Sequence, residues 1–223
     1  MPIATRTRAS LQRLYKRTLP FELRYWLYKL RNNAETKQLR STINPSPKGD
    51  FSLKPFDENH CIFVHITKSA GTSLAKSLFG YLPYHYTASQ YRVIYGRKTF
   101  ADYYSFAFVR NPWDLQVSSF HHILRERPQY MNGITDFNEF MRWKFNPERP
   151  YQYHIDTSLS LQSDYLLDLH RVKQVNYLGH YESLNEDFSH ICKTVGIPAI
   201  ELPHKRKAGD RKKDFRTYYD DDV

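Results

Sequence analysis

Two short segments hold the residue types that bind and move charge. The first is Thr67-Lys68-Ser69-Ala70-Gly71-Thr72-Ser73, which lies between an apolar run and a stretch of helical character. Backbone N–H groups at a helix start lack intrahelical acceptors and sit at the positive end of the dipole, so an anion is their natural ligand. Ser69, Ala70 and Gly71 are small enough to let the backbone approach an oxyanion. Lys68 adds a point charge, and the hydroxyls of Thr72 and Ser73 add donors. Taken alone, the segment reads nearly as well as a tight turn that contains a lysine. It is not the nucleoside-triphosphate loop Gly-x-x-x-x-Gly-Lys-Ser/Thr, because here the lysine precedes the glycine.

The second segment is Phe106-Ala107-Phe108-Val109-Arg110-Asn111-Pro112-Trp113-Asp114, with Ser118 eight residues beyond the arginine. An arginine at the C-terminal end of a buried strand stands where open parallel sheets bind ligands, and Ser118 falls about two helical turns further on. The guanidinium fork and the hydroxyl together suit a phosphate. A surface ion pair between Arg110 and Asp114 is the competing reading.

These residues need strands that end at them and helices that begin after them. Residues 61–66, Cys-Ile-Phe-Val-His-Ile, and residues 104–109 are the apolar runs of buried parallel strands. A helix is expected over 73–79, stopped by Gly80, and another launched by Asn111 as N-cap and Pro112 in its first turn. A third strand is expected over 174–178, followed by a helix over 184–195 that Gly196 and Pro198 end. Thr135 and Asp136 cap a helix that runs through Met141, and 158–169 reads as helical. Strands alternating with helices imply a parallel sheet covered on both faces.

The chain has 223 residues, 40% hydrophobic and 25% charged, which suits one globular domain and excludes disorder throughout. Residues 1–50 carry eleven Lys or Arg against three Asp or Glu, about +8 of the total +10. Within them, 10–40 reads as a basic amphipathic helical arm broken by Pro20, to be packed on the domain or laid on an anionic membrane surface. Asn44-Pro45-Ser46-Pro47-Lys48-Gly49-Asp50 is a linker by composition, so 1–50 are taken as arm and linker and 51–223 as the domain. A second basic cluster, Lys205, Arg206, Lys207, Arg211, Lys212, Lys213 and Arg216, faces an anionic ligand or is solvated surface. No secretory signal or transmembrane run is visible, and Cys61 and Cys192 sit in apolar surroundings; a reducing, cytoplasmic location is expected, with peripheral membrane contact open.

Both charged segments together resemble the sulfotransferase family that includes bacterial and Golgi carbohydrate sulfotransferases, with donor motifs like F-x-H-x-P-K-x-A-G-T-S-L and F-x-F-V-R-N-P-W-D-R-x-x-S. Here they stand as Phe63 to Leu74 and Phe106 to Ser118, with Thr67 in place of the proline and Leu115 in place of the arginine. Weaker similarity extends over His85-Tyr86-Thr87-Ala88, the segment from Gln162, Gly179-His180-Tyr181-Glu182-Ser183-Leu184, Asp187-Phe188 and the tail from Phe215 to Asp220. Many relatives continue into another helix, so a chain ending at Val223 suits a domain truncated relative to them.

The resemblance implies a three-layer α/β, P-loop-like fold with a central parallel sheet flanked by helices. It implies transfer of a sulfuryl group from 3′-phosphoadenosine 5′-phosphosulfate (PAPS) to a hydroxyl of a carbohydrate or glycolipid, with no metal expected. Lys68, Ser69, Ala70, Gly71, Thr72 and Ser73 would surround the 5′-phosphosulfate, and Arg110 and Ser118 the 3′-phosphate. Charge growing on the departing phosphate oxygen would be stabilised by Lys68 and the helix start. His85 is the first choice for the base that takes the acceptor's proton, His65 the competitor and Glu182 a more distant one. Two other functions compete: an ATP- and magnesium-dependent phosphoryl transferase, against which the lysine placement argues, and a basic nucleic-acid- or membrane-binding protein. Nucleic acid is not an expected partner.

Overall fold

A computed structural model of the chain describes residues 23, 27, 34–35, 37–131, 133–149, 153, 156–168, 170–198, 202 and 214–220. Most of the 10–40 arm lies outside them, as do Lys205, Arg206, Lys207, Arg211, Lys212 and Lys213, while Arg216 lies within. Among the described residues no helix is long and apolar enough to cross a membrane.

In chain order the elements are α1 (Lys54–Glu58), β1 (Cys61–Val64), α2 (Gly71–Phe79), α3 (Ala88–Tyr95), α4 (Arg97–Asp102), β2 (Tyr104–Val109) and α5 (Pro112–Glu126). They continue with α6 (Phe137–Phe145), α7 (Gln162–Leu166), β3 (Tyr177–His180), α8 (Leu184–Val195) and a 3-10 turn over Phe215–Tyr218. The strands form a three-stranded sheet in the order β1-β2-β3, both pairings parallel, with Phe63 opposite Phe106 and Phe108 opposite Gly179. This is the α/β fold the alternation of elements implies. β1 is buried along its whole length, as expected of a strand covered on both faces.

Two apolar cores flank the site. The larger joins the strands to α1, α2, α3 and α8 through Phe56, Leu74, Tyr91, Phe106, Phe188 and Ile191. The smaller joins α5 to α6 through Val117, Phe120, Phe137 and Phe140, with Tyr218 and Tyr219 packed against it. Each buried phenylalanine contributes about 1.5–3 kcal/mol. Residues of the β1–α2 loop belong to the first core and α5 to the second, and Arg110, between β2 and α5, reaches the loop.

Several boundaries differ from the sequence reading for local reasons. β1 ends at Val64 because Ile66 N–H turns back to the Val64 carbonyl at 3.1 Å. β3 begins three residues later than 174, because Lys173 bridges Leu167 and Gln174 N–H donates to Leu166 O at 2.9 Å. Among the described residues of the expected 158–169 helix, 162–166 are helical. Residues 157–159 instead form a turn headed by Asp156, whose carboxylate takes the Ser158 N–H at 2.8 Å. Within 44–50, Asn44 pairs antiparallel with Phe51 at 2.8 and 2.9 Å, which folds this stretch onto the domain.

Candidate functional site

The loop after β1 enters α2 through a strained backbone. Lys68 and Ala70 both adopt left-handed conformations, with φ of 64° and 61°, although neither is glycine. Such residues cost about 1–3 kcal/mol each. Ala70 is the N-cap of α2, and its methyl offers no hydrogen bond to the first-turn N–H groups. The Ser73 N–H turns to the Ala70 carbonyl at 3.0 Å, which leaves those of Gly71 and Thr72 for an external acceptor. Thr72 is exposed and Ser73 half-buried, whereas Ser69 is 1% exposed and its Oγ makes no hydrogen bond.

Arg110 follows β2, the neighbour of β1, and therefore emerges beside this loop. Its Nη1 donates to the Lys68 carbonyl at 3.2 Å, which joins the two charged segments directly. Nε donates to Asp114 Oδ2 at 2.6 Å, and the guanidinium lies 4.0 Å from the centre of the Tyr181 ring. The Arg110–Asp114 ion pair exists, but it is buried, with the arginine 6% exposed, and is not a surface feature. Burial lowers the Arg110 pKa, while Tyr181 and Glu182 act against that shift. Gln162 clamps the backbone from both sides, its Oε1 accepting from Arg110 N–H and its Nε2 donating to Arg110 O, each at 2.8 Å. Glu182 Oε1 takes the Asn111 N–H at 2.7 Å. Ser118 is half-buried on α5, one turn beyond Asp114 and on the same face.

His65 and His85 meet on the other side of the loop. Their rings lie 4.2 Å apart between centroids, and His85 Nδ1 is 2.9 Å from the His65 carbonyl. A carbonyl only accepts, so Nδ1 carries the proton and neutral His85 keeps its lone pair on Nε2. Burial lowers the His85 pKa, the bond to His65 and Asp156 oppose that shift, and Arg127 adds to it. His65 is buried, stacks on Phe63 and is pushed down to about 3, chiefly by desolvation and then by His85. A Cβ on Gly71 would overlap His65 Cδ2 and Nε2. The glycine thus makes room for a ring, where the sequence suggested room for an oxyanion.

Five further residues, Asp156, Arg127, Tyr130, Ser158 and His122, were not singled out by sequence reasoning. Asp156 accepts from Arg127 Nη1, from Tyr130 Oη at 2.9 Å and from Ser158. The Asp-x-Ser pattern of an Asx turn was the available signal for Asp156. His122 stands on α5 one turn beyond Ser118, and its Nδ1 is buried without a partner. Desolvation and then the charge of Lys68 push it down to about 4. Histidine at that position is marked by nothing except its i, i+4 spacing from Ser118.

Parallel strands that lead into this loop, with an arginine from the adjacent strand braced against it, form the sheet edge at which proteins of the α/β class bind ligands. A model of the sulfotransferase family matches residues 53–220, and the chain belongs to that family. It is a transferase of sulfuryl groups. An uncharacterized protein of Archaeoglobus fulgidus is 30% identical over 105 residues, 46% of this chain and 76% of that protein. No solved structure matches significantly.

Proposed function

We propose that the protein transfers a sulfuryl group from PAPS to a hydroxyl of a carbohydrate or glycolipid. The observation that carries this reading is the contact between Arg110 and the Lys68 carbonyl, which makes one site of two anion-binding elements. The left-handed residues 68 and 70 and the uncapped start of α2 fit the 5′-phosphosulfate. Bonds to Asp114 and Lys68 engage three of Arg110's five N–H protons, and the remaining two, with the Ser118 hydroxyl, fit the 3′-phosphate.

In this reading the acceptor oxygen attacks sulfur, and the bond from sulfur to the bridging phosphate oxygen breaks. The leaving electron pair stays on that oxygen, where Lys68 and the α2 start stabilise it more than in the ground state. His85 Nε2 takes the acceptor's proton while Nδ1 stays on the His65 carbonyl. The charge of about +8 on residues 1–50 fits peripheral contact with an anionic membrane, where a glycolipid acceptor resides.

The test is titration calorimetry with PAPS, its bisphosphate product and ATP, on wild type, Lys68→Ala and Arg110→Lys, together with a turnover assay of sulfuryl transfer from PAPS. We expect the bisphosphate to bind far better than ATP, Arg110→Lys to weaken it about tenfold or more, and Lys68→Ala to cut kcat roughly 100-fold. Preference for ATP, with both variants unchanged, would overturn the assignment.

A further inference from the structure

Asp156 is an unusually well-supplied carboxylate. Oδ1 accepts from the Ser158 N–H at 2.8 Å and its hydroxyl at 2.5 Å, and Oδ2 accepts from Tyr130 Oη at 2.9 Å and from Arg127. Burial works against its charge, but the Ser158 and Tyr130 bonds and the field of Arg127 outweigh it and hold the carboxyl below its ordinary range. The turn is tied to the anion loop one residue later: the Thr157 carbonyl accepts from Thr67 Oγ1 at 3.2 Å and from Tyr165 Oη at 3.0 Å. Thr67 is two residues from His65, whose carbonyl holds His85. A continuous chain of contacts therefore runs from His85 through His65 and the loop to the Asp156 turn.

The charged and titratable groups that act on His85 are His65 from the end of β1, Arg127 from the end of α5 and Asp156 from the turn. We propose that Asp156 and Arg127 are a matched pair of positioning residues for His85, the carboxylate balancing the positive charge that His85 acquires and the guanidinium holding the carboxylate in place. This rests on His85 being the base. When Nε2 takes the acceptor's proton, the ring becomes a cation in a half-buried site, with Nδ1–H already committed to a carbonyl. A nearby fixed anion favours that cation and a nearby guanidinium opposes it. The two side chains therefore act on His85 with opposite sign, which a purely structural network would not do.

The opposition makes the experiment decisive. In the full chain, the His85 ring is titrated by NMR in wild type, Asp156→Asn and Arg127→Gln, with the pH profile of kcat/KM measured alongside. Arg127 is 38% exposed, and urea midpoints of both variants are read alongside so that any loss of stability is separated from the titration. Asp156→Asn leaves the guanidinium unopposed: the His85 titration and the acid limb move to lower pH by about 0.5–1 unit, and the plateau falls about tenfold as the base weakens. Arg127→Gln moves both to higher pH by a similar amount. Shifts of one sign in both variants, or no shift in either, overturn the pairing. If the NMR titration moves in opposite directions but the acid limb of kcat/KM does not follow, the pair acts on His85 as proposed and it is the assignment of His85 as base that fails.

Discussion

The imidazole of His65 fills the space in which a side chain on residue 71 would stand. Its Cδ2 and Nε2 would collide with a Cβ there, and the ring has no slack, being packed against Phe63 on one side and His85 on the other. Gly71→Ala should therefore destabilise the fold by about 1–3 kcal/mol, read from urea unfolding, although alanine is the better helix former. It should also lower turnover, because displacing His65 moves the carbonyl that orients His85. In a His65→Ala background the same substitution should cost under about 0.5 kcal/mol. Equal costs in both backgrounds would show that the ring is not what requires the glycine.

Helix α5 carries Asp114, Ser118 and His122 along one face, and its start is fixed by Asn111. The Asn111 Oδ1 accepts from Trp113 N–H at 3.0 Å and Asp114 N–H at 3.3 Å, with Pro112 preset in the first turn. Asn111→Ala should cost about 1 kcal/mol of stability, and Asn111→Ser should recover most of it. Because the cap also places Asp114 against Arg110, binding of the bisphosphate should weaken in the alanine variant and recover in the serine variant. Recovery of stability without recovery of binding would separate the cap from the site.

What the sequence made legible was local. Continuous apolar runs announced β1 and β2 and put Lys68 and Arg110 at strand ends, while the resemblance to the sulfotransferase motifs, and not the strand reading, joined the two into one site. The Asn111-Pro112 start of α5 followed from capping chemistry. Helices α3 and α4 were not anticipated, although Thr87 and Gln90 form a complete capping box at the start of α3. β3 starts later than expected because Gln174 N–H is taken by the Leu166 carbonyl, beside the bridge between Leu167 and Lys173. The pairing of Asp156 with Arg127 depends on how the turn at Asp156 meets the end of α5, which no spacing within one segment encodes. His65 and Gly71 share one segment, but that the ring folds back over the glycine depends on the path of the loop and not on residue type.

Lys144 shows the same limit with a measurable consequence. Flanked by Trp143 and Phe145 on α6, it looks in sequence like the solvated face of an amphipathic helix, yet it is 2% exposed and its Nζ donates to Gln116 Oε1 at 2.5 Å. Desolvation, with a smaller contribution from Arg149, pushes the ammonium down to about 7, against a weaker opposing pull from Asp164. An unfolded lysine titrates near about 10.4. Between those values the unfolded chain binds a proton that the folded chain has released, so stability rises with pH, by at most about 1.4 kcal/mol per unit. Below pH of about 7 both states hold the proton and the full burial penalty remains. Lys144→Met removes this titration. Urea midpoints at several pH values from about 6 to about 9 should show wild type gaining on the variant as the pH rises, with the gain beginning near neutrality. A difference between the two proteins that stays constant across that range would mean that Lys144 keeps its charge inside the fold, held there by the Gln116 amide and the Asp164 carboxylate against the cost of desolvation.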